Sequence, residues 1–307
     1  MGQILVTREL PFPALDRLRA AHSLDVWELP SPPPPAELRA RARGADALLT
    51  MITDRVDGEL LAAAPSVRAV ANLGAGTDNI DLAATRAAGV AVGNTPGAVT
   101  EATADIALTL LLALARRVPE GMAEVRAGRW APWQPAHQLG IEIGGATLGI
   151  VGWGRIGQAV ARRAAGFGMR VIHSSRTSGV PLDELLAEAD VVSVHTPLTP
   201  QTRNLIDAAA LARMKPTALL INTARGGIVD QVALRAALAD GTIAGAGLDV
   251  TEPEPLPADD PLLDAPNLLV LPHVGSATRQ TRARMAEMAV ENLLAALAGE
   301  AMRYPVP

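Results

Sequence analysis

The amino-acid sequence predicts an α/β protein with two doubly wound parallel-sheet domains. Short apolar runs alternate with helical patterns in two separate series, and a glycine-rich turn follows the first strand of the second series. A chain of 307 residues is long enough for two domains of about 100–200 residues each. Continuous apolar runs are typical of strands buried on both faces, and their alternation with helices gives parallel pairing through right-handed crossovers.

The first series occupies the N-terminal third of the chain. Its strand candidates are ILV (4–6), ALLTM (47–51) and VRAVANL (67–73), and its helical candidates are 14–21, 59–64 and 82–88. The proline-rich stretch 30–35 is interpreted as a surface loop, because the pattern of strands and helices resumes soon after it. This part of the chain is therefore predicted to form one α/β unit.

The second series begins at ATLGIVG (146–152) and contains six strand candidates, which suits a complete dinucleotide-binding domain. The other five are MRVIHSS, DVVSVH, ALLINT, GAGLDV and NLLVLPH. A buried apolar helix over 104–115 and an irregular arm with Trp130 and Trp133 separate the two series. The last helical pattern, 281–298, has no strand after it and is expected to pack back on the first domain.

Composition and charge exclude several classes of protein. The chain has no Cys, which removes disulfides, Cys-ligated zinc, iron–sulfur clusters and thiol catalysis and fits a reducing cytoplasm. The formal net charge of −5 gives no electrostatic reason to expect nucleic acid or an anionic membrane as partner. The N-terminus lacks a signal-peptide pattern, and the segment 104–115 is shorter than the roughly 20 residues of a membrane span. We therefore expect a cytoplasmic protein.

Gly152, Gly154 and Gly157 form a G-x-G-x-x-G motif between the strand LGIVG and a helix that starts at Arg155. Dinucleotide binding needs glycines here, because the turn is tight and the backbone must approach a pyrophosphate closely. The helix N-terminus adds N–H groups and a partial positive charge. In this strand-loop-helix context the motif predicts a dinucleotide site rather than a simple tight turn.

The end of the next strand indicates which dinucleotide binds. NAD sites usually place Asp or Glu about 20 residues beyond the motif, whereas this chain offers Ser174, Ser175, Arg176 and Thr177. An Arg flanked by hydroxyl groups suits the 2′-phosphate of NADP. NADPH is therefore the predicted cofactor, with NAD as the alternative if Arg176 is solvated or stacks on the adenine. His195, which ends the strand VVSVH, is expected near the ribose or adenine.

Three segments that follow strands of the second series carry reactive groups: NTARG (222–226), GLDVTEPE (247–254) and LPHVGS (271–276). The carboxyl ends of parallel strands meet at one edge of a sheet, so Arg225, Glu254 and His273 are expected to converge. An Arg binds a carboxylate through two hydrogen bonds. A His exchanges protons near neutral pH, and a neighbouring carboxylate stabilises its protonated form.

Spacing alone also permits purely structural roles for the same residues. Arg225 could pair with a surface carboxylate, Glu254 could be solvated among prolines, and His273 could cap a strand end. No histidine stands at a metal-binding spacing from acids or other histidines, so no metal site is expected.

Motifs along essentially the whole chain resemble those of the D-isomer-specific 2-hydroxyacid dehydrogenases, and within them most closely those of glyoxylate/hydroxypyruvate reductases. These motifs are NLGAGTDNIDL, TEATADIALTLLLALARR, TLGIVGWGRIGQAVARR, HTPLTPQTRNLI, MKPTALLINTARGGIVDQVAL, GLDVTEPEPLP and LPHVGSATRQTR. The resemblance implies a Rossmann-like cofactor domain inserted into a flavodoxin-like substrate domain. Residues 1–99 and 281–307 are then the substrate domain, and 100–280 the dinucleotide-binding domain with a dimerisation arm at about 118–145.

The resemblance also implies roles for individual residues. His273 is the acid/base, Glu254 is its carboxylate partner, and Arg225 binds the substrate carboxylate together with the backbone N–H groups of Ala75 and Gly76. Ser276 and Trp133 are further substrate-binding residues. The implied cofactor-binding residues are Thr103, Gly152, Gly154, Arg155, Ile156, Gly157, Ser175, Arg176, Thr177, His195, Thr196, Pro197, Thr202, Thr223, Ala224, Asp249, His273 and Gly275, with Asp249 on the nicotinamide carboxamide.

The implied activity is NAD(P)H-dependent reduction of a small 2-oxo acid, with glyoxylate or hydroxypyruvate as the expected substrate. The arm of similar reductases crosses to the partner subunit of a homodimer, so Trp133 is expected to border the neighbour's site, unless it serves only in interface packing. One alternative is a D-2-hydroxyacid or D-3-phosphoglycerate dehydrogenase with another substrate. The other is a nucleotide-sensing, corepressor-like binding protein, because such proteins keep the same Arg, Glu and His.

Overall fold

The computed structural model of the protein describes residues 2–307, which form two compact units. One unit takes in the described residues through Val99 together with Ala277–Pro307, and the other is Thr100–Ser276. The chain thus leaves the first unit, builds the second and returns to the first. The assignment of one unit to the substrate and the other to the cofactor stays a prediction.

The first unit is built on a five-stranded parallel sheet in the order β2-β1-β3-β4-β5, the strand order of flavodoxin. Its strands are β1 (Gln3–Val6), β2 (Ser23–Val26), β3 (Ala47–Met51), β4 (Ala69–Leu73) and β5 (Ala91–Gly93). The helices between them are α1 (Ala14–Ala21), α2 (Pro35–Ala42), α3 (Gly58–Ala63) and α4 (Leu82–Ala87). The strand order reverses between β1 and β3, so the carboxyl ends of β1, β3 and β4 lie side by side.

The second unit contains a six-stranded parallel sheet in the order β11-β10-β9-β8-β6-β7. Its helices are α5 (Thr100–Ala115), α6 (Val118–Arg126), α7 (Arg155–Gly166), α8 (Leu182–Glu188), α9 (Ala208–Arg213) and α10 (Gln231–Ala239). Its strands are β6 (Thr147–Val151), β7 (Arg170–Ser174), β8 (Val191–Val194), β9 (Leu219–Asn222), β10 (Gly245–Leu248) and β11 (Leu268–Val270). Here the order reverses between β6 and β8, which is the point where such sheets bind ligands.

The last helix, α11 (Arg279–Leu297), belongs to the first unit. The hydroxyl of Thr278 accepts a hydrogen bond from the N–H of Thr281 and caps its first turn. Its buried side chains, among them Met285 and Leu293, pack with α1 and with β1, β3 and β4. The expectation that this helix packs back on the first domain is therefore confirmed.

Both sheets are covered by helices on two faces. In the first unit Ile4 and Val6 pack with α1 and α11, whereas Leu5 packs with α2 and α3. In the second unit Ile150 packs with α5 and α7, and Val192 packs with α8, α9 and α10. Because successive residues of a strand point to opposite faces, these continuous apolar strands are buried on both sides. The predicted doubly wound α/β class is confirmed.

All nine strand candidates of the two series form strands, and the apolar pattern at 104–115 forms most of α5. The sequence does not single out β2 or β5. The first is a four-residue edge strand that contains Ser23 and Asp25, and the second has only three residues. Across residues 2–307, every helix is too short or too polar to span a membrane.

Candidate active site

The glycine loop (152–157) joins β6 to α7 and leaves room for a phosphate group. Gly152 has a φ of 101°, and a Cβ there would lie 2.6 Å from the carbonyl carbon of His195. A Cβ on Gly157 would overlap the carbonyl oxygen of Gly152, whereas a Cβ on Gly154 would project into open space. The N-cap of α7 is Gly154, which has no side chain to cap the helix, so the first N–H groups of α7 can bind an anion. The loop therefore fits the pyrophosphate of a dinucleotide.

A tight loop of residues 175–178 follows β7, with Arg176 exposed at its tip. The hydroxyl of Ser175 accepts a hydrogen bond from the N–H of Ser178 at 3.0 Å, and the backbone N–H of Ser175 donates to the carbonyl of Ser178 at 2.9 Å. The Nε2 atom of His173 lies 3.2 Å from the hydroxyl of Ser178, and the imidazole stacks on Trp153 with ring centroids 4.0 Å apart. The imidazole thus links this loop to the glycine loop.

His195 follows β8, and its ring lies between two hydroxyl groups. The Nε2 atom is 2.8 Å from Oγ of Ser193, and Nδ1 is 3.5 Å from Oγ1 of Thr223. Burial lowers the pKa of His195 to about 3, because the charged imidazolium would lose its hydration there. The ring is therefore neutral near pH 7 and acts as a hydrogen-bonding group.

Three of the predicted cofactor residues, Thr196, Pro197 and Thr202, lie in one closed loop after His195. The hydroxyl of Thr202 donates to the carbonyl of Pro197 at 2.7 Å and accepts from the N–H of Thr199 at 2.8 Å. This loop begins directly against the glycine turn, since a Cβ on Gly152 would also meet the backbone nitrogen of Thr196.

Arg225 stands in the loop after β9, and the buried Asn222 fixes this loop. The Nδ2 group of Asn222 donates to the carbonyl of Arg225 at 2.9 Å, and its Oδ1 accepts from the N–H of Ala224 at 3.0 Å. A Cβ on Gly226 would overlap the backbone of Thr251, so the loop lies directly against the segment after β10. The backbone of Arg225 is therefore positioned from two sides.

Asp249 follows β10 and fastens the segment that carries His273. Its Oδ1 accepts from the N–H of Val274 and its Oδ2 from the N–H of Gly275, each at 2.7 Å. The hydroxyl of Thr103 donates to the carbonyl of Gly275 at 3.4 Å. Burial raises the pKa of Asp249, although the two N–H groups act in the opposite direction. The predicted contact of Asp249 with the nicotinamide stays a prediction.

His273 and Glu254 form a hydrogen-bonded pair. The Nδ1 atom of His273 donates to Oε2 of Glu254 at 2.7 Å, and Oε1 of Glu254 accepts from the N–H of Thr251 at 3.0 Å. His273 has a φ of 54°, in the left-handed region that few residues with side chains adopt. With Nδ1 bound to Glu254, Nε2 is the ring atom that can exchange a proton with a ligand.

The first unit carries Ala75 and Gly76 in the loop after β4. The Nδ2 group of Asn94 donates to the carbonyl of Ala75 at 2.7 Å, and Nδ2 of Asn72 donates to the carbonyl of Gly76 at 2.9 Å. The side chains of the first unit therefore hold the carbonyl groups of this loop. Binding of a carboxylate by its N–H groups stays a prediction.

The other predicted site residues lie at the borders of these segments. Arg155 and Ile156 open the first turn of α7, Thr177 stands exposed beside Arg176, and Ser276 is the last residue of the second unit. Among residues 2–307, no three His, Asp or Glu side chains are grouped as a metal site requires.

The arm between α6 and β6 contains Trp133, which is 87% exposed, and Trp130, which is 77% exposed. Both indoles line an open concavity together with His137. The arm contains no further helix or strand before β6. Its predicted role at a subunit interface stays a prediction.

The sequence does not mark Asn222 as a site residue. Its one sequence signal is its position directly after the apolar run ALLI, where a polar residue ends a buried strand. Its two hydrogen bonds depend on the turn that the following three residues adopt. The N–H of Thr251, which holds Glu254, was likewise not foreseen, because a backbone donor leaves no trace in the sequence.

The second unit has a glycine phosphate loop after its first strand. A His–Glu pair and an arginine follow other strands of the same sheet. Together these features define a dinucleotide-dependent oxidoreductase. The acid/base pair suits the interconversion of a hydroxyl and a carbonyl group. The glycine loop suits the cofactor.

Comparison with known proteins gives the family. Residues 108–275 match the family model described as D-isomer specific 2-hydroxyacid dehydrogenase, NAD binding domain. The glyoxylate reductase of Korarchaeum cryptofilum is 49% identical over 310 residues, which cover 97% of this chain and 93% of that protein. The chain belongs to the D-isomer-specific 2-hydroxyacid dehydrogenase family.

Two solved structures are similar over nearly their whole length. The TT0316 protein of Thermus thermophilus has a TM-score of 0.96 at 51% identity, covering 99% of this chain and 100% of that one. An NADPH-dependent glyoxylate/hydroxypyruvate reductase of Sinorhizobium meliloti, in complex with NADP and malonate, has a TM-score of 0.87 at 35% identity, covering 99% and 96%.

These findings confirm the predicted family, the fold, the enzyme class and the type of cofactor. The protein is an NAD(P)-dependent oxidoreductase that acts on the CH–OH group or the corresponding carbonyl. The roles of individual residues stay predictions.

Proposed function

We propose that the protein is a glyoxylate/hydroxypyruvate reductase that uses NADPH. The observation that carries the proposal is the 2.7 Å hydrogen bond between His273 and Glu254, in the same domain as the glycine loop and Arg225. Glyoxylate reductase is also the name of the relative that is 49% identical. A small 2-oxo acid supplies the two groups that these residues suit, a carboxylate for Arg225 and a carbonyl oxygen for His273.

In the proposed reaction His273 is the proton donor. When bound, the reduced nicotinamide supplies a hydride to the carbonyl carbon of the 2-oxo acid. The C=O double bond becomes a single bond, and Nε2 of His273 donates its proton to the oxygen that develops negative charge. The products are a 2-hydroxy acid and the oxidised cofactor, and His273 regains its proton from solvent.

Glu254 and Arg225 complete the machinery. The carboxylate of Glu254 stabilises the protonated imidazole and fixes the ring orientation through Nδ1, while Thr251 holds the carboxylate in turn. The guanidinium of Arg225 anchors the substrate carboxylate and favours negative charge on the neighbouring oxygen. The loop of Ala75 and Gly76 is the proposed source of further N–H donors for a substrate carboxylate.

The preference for NADPH rests on the loop that follows β7. The exposed guanidinium of Arg176 stands at its tip, and the strand end offers hydroxyl groups where an NAD site has a carboxylate. The Ser175 and Ser178 hydrogen bonds give this loop a defined shape. NAD is the alternative cofactor.

We also propose that the enzyme is a cytoplasmic homodimer joined through the arm at 118–145. Large apolar side chains are exposed on α6 and the arm, among them Met122, Val125, Trp130, Trp133 and Leu139. Exposed apolar side chains of this size favour burial against a second copy. The absence of Cys fits the reducing conditions of the cytoplasm.

The test is the fall in reduced-nicotinamide absorbance when purified protein is mixed with glyoxylate, hydroxypyruvate, pyruvate or a branched 2-oxo acid, each with NADPH and with NADH. Fast turnover of glyoxylate or hydroxypyruvate with NADPH is expected. Turnover of a bulkier acid alone would contradict the proposed substrate, and cofactor binding without turnover would contradict the enzyme assignment.

A substitution tests the proposed proton donor. His273→Gln keeps a hydrogen-bonding side chain that cannot supply the proton, so kcat should fall by about 10²–10⁴-fold. The dissociation constant of NADPH should remain within about twofold of wild type, because the glycine loop is untouched. Near-normal turnover in this variant would overturn the assignment.

A further inference from the structure

Three consecutive carbonyl groups of the loop after β4 are tied to the body of the first unit. The carbonyl of Gly74 accepts from the N–H of Thr95 at 3.0 Å. The next two accept from side-chain amides, Ala75 from Asn94 at 2.7 Å and Gly76 from Asn72 at 2.9 Å. The loop therefore presents its acceptors inward.

Planar trans peptides place each C=O and the following N–H on opposite sides. With the carbonyls of Gly74, Ala75 and Gly76 held inward, the N–H groups of Ala75, Gly76 and Thr77 point away from those donors. Within residues 2–307 these three N–H groups have no hydrogen-bond acceptor. Backbone N–H groups that are left without an acceptor can hydrogen-bond an anion.

The side chain of Asn72 is fixed in orientation by hydrogen bonds to its own oxygen. It is fully buried in β4, and its Oδ1 accepts from the hydroxyl of Thr50 at 3.3 Å and from Nδ2 of Asn79 at 3.2 Å. Nδ2 of Asn79 also donates to the carbonyl of Met51, the last residue of β3, at 3.1 Å and to the carbonyl of Asp54, three residues beyond it, at 2.9 Å. With Oδ1 engaged by two donors, the Nδ2 group of Asn72 faces the carbonyl of Gly76.

The other side of the loop is fixed by packing. A Cβ on Gly74 would overlap the side chain of Ile52, so only glycine permits this approach between the ends of β3 and β4. The loop is thus held by a close contact at its first residue and by hydrogen bonds at all three carbonyls.

We infer that Asn72 is a positioning residue for substrate binding: it holds the Gly76 carbonyl inward and so keeps the N–H groups of the loop directed at the carboxylate of a 2-oxo acid. The inference rests on the proposed function for the identity of the anion. Asn72 is itself fully buried in β4, so it acts through the Gly76 carbonyl and not by contact with a reacting atom.

The test compares Asn72→Leu with Thr85→Val. Leucine has the same branched heavy-atom skeleton as asparagine but no amide. Thr85 is a buried residue of α4, eight residues beyond Thr77, and its hydroxyl donates to the carbonyl of Leu82 at 3.1 Å. Both changes remove buried hydrogen bonds of the first unit. Only Asn72→Leu releases the carbonyl of Gly76.

For Asn72→Leu we expect KM to rise about 10-fold, the size of effect that one lost buried hydrogen bond gives. The factor should be equal for glyoxylate and hydroxypyruvate, because both present the same carboxylate. The dissociation constant of NADPH should not change, and Thr85→Val should lower Tm without raising KM. If Asn72→Leu does not fold, Asn72→Ser, which shortens the donor, serves instead.

The dissociation constant of oxamate, measured with NADPH bound, separates this inference from the proposed function. Oxamate carries the carboxylate and carbonyl of a 2-oxo acid but is not reduced. A wild-type protein that binds oxamate yet reduces no 2-oxo acid would contradict the proposed function alone. Unchanged oxamate binding in the Asn72 variant, an equal loss in Thr85→Val, or no oxamate binding by wild type would overturn the inference.

Discussion

The pairing of His273 with Glu254 gives a prediction whose size follows from the structure. Glu254→Gln keeps the length of the side chain and removes its charge. Hydrogen bonds to charged groups contribute about 1.5–3 kcal/mol. The two side chains are 28% and 32% exposed, so solvent screening reduces the energy lost with this hydrogen bond to about 1–2 kcal/mol. A tenfold change in rate corresponds to about 1.4 kcal/mol, so kcat should fall about 5- to 30-fold.

The assay is steady-state reduction of glyoxylate at saturating NADPH, with Glu252→Gln as a matched control. Glu252 lies two residues away and pairs with Arg203 at 2.8 Å, outside the His–Glu pair. Its neutralisation should leave kcat within about twofold, as expected of an exposed ion pair. Full activity in Glu254→Gln, or an equal loss in both variants, would refute the proposed role of Glu254.

Three further predictions concern other parts of the molecule. Arg176→Ala should raise the KM for NADPH about 10-fold by removing a charge-assisted phosphate contact, while an equal effect on NADH would contradict the 2′-phosphate assignment. Burial lowers the pKa of His195 to about 3 in the folded protein, whereas the pKa is about 6.5 in the unfolded chain. Between these values the unfolded state binds one more proton than the folded state. The stability that the neutral ring contributes is therefore complete above pH 6.5 and is lost as the pH falls toward 3. Urea unfolding of His195→Gln and wild type at pH 7 and pH 5 should therefore show a smaller loss of stability in the variant, and equal losses would contradict it. Trp133→Ala should weaken dimerisation, measured by sedimentation, or alter substrate preference, and no change in either would contradict a role at the interface.

Much of the fold follows from local patterns. The runs at β1, β3, β4 and the six strands of the second sheet are apolar enough to mark buried parallel strands, and Gly152, Gly154 and Gly157 mark the phosphate turn in their strand-loop-helix context. These signals are readable because each depends on residues that are adjacent in the chain. These signals do not identify β2 or β5. The strand β2 lies at the edge of its sheet and β5 has only three residues, so neither shows a clear apolar pattern.

The candidate site likewise has some features that can be predicted from the sequence and others that cannot. Arg225, Glu254 and His273 could be chosen from residue type, from their positions after strands and from resemblance to a family. The sequence could not show that both carboxylate oxygens of Asp249 would accept hydrogen bonds from the N–H groups of Val274 and Gly275, which lie 25 and 26 residues further along the chain.

The class of fold, the phosphate loop and the residues able to bind a carboxylate or move a proton can all be inferred from the order of residues. How those residues are held depends on the folded chain: Asn222 holds the loop of Arg225, the N–H of Thr251 holds Glu254, and Asn72 holds Gly76. These contacts form because buried polar groups must find partners. Those partners are set by which strand ends the sheet brings together, and strand order is a property of the whole chain rather than of any segment.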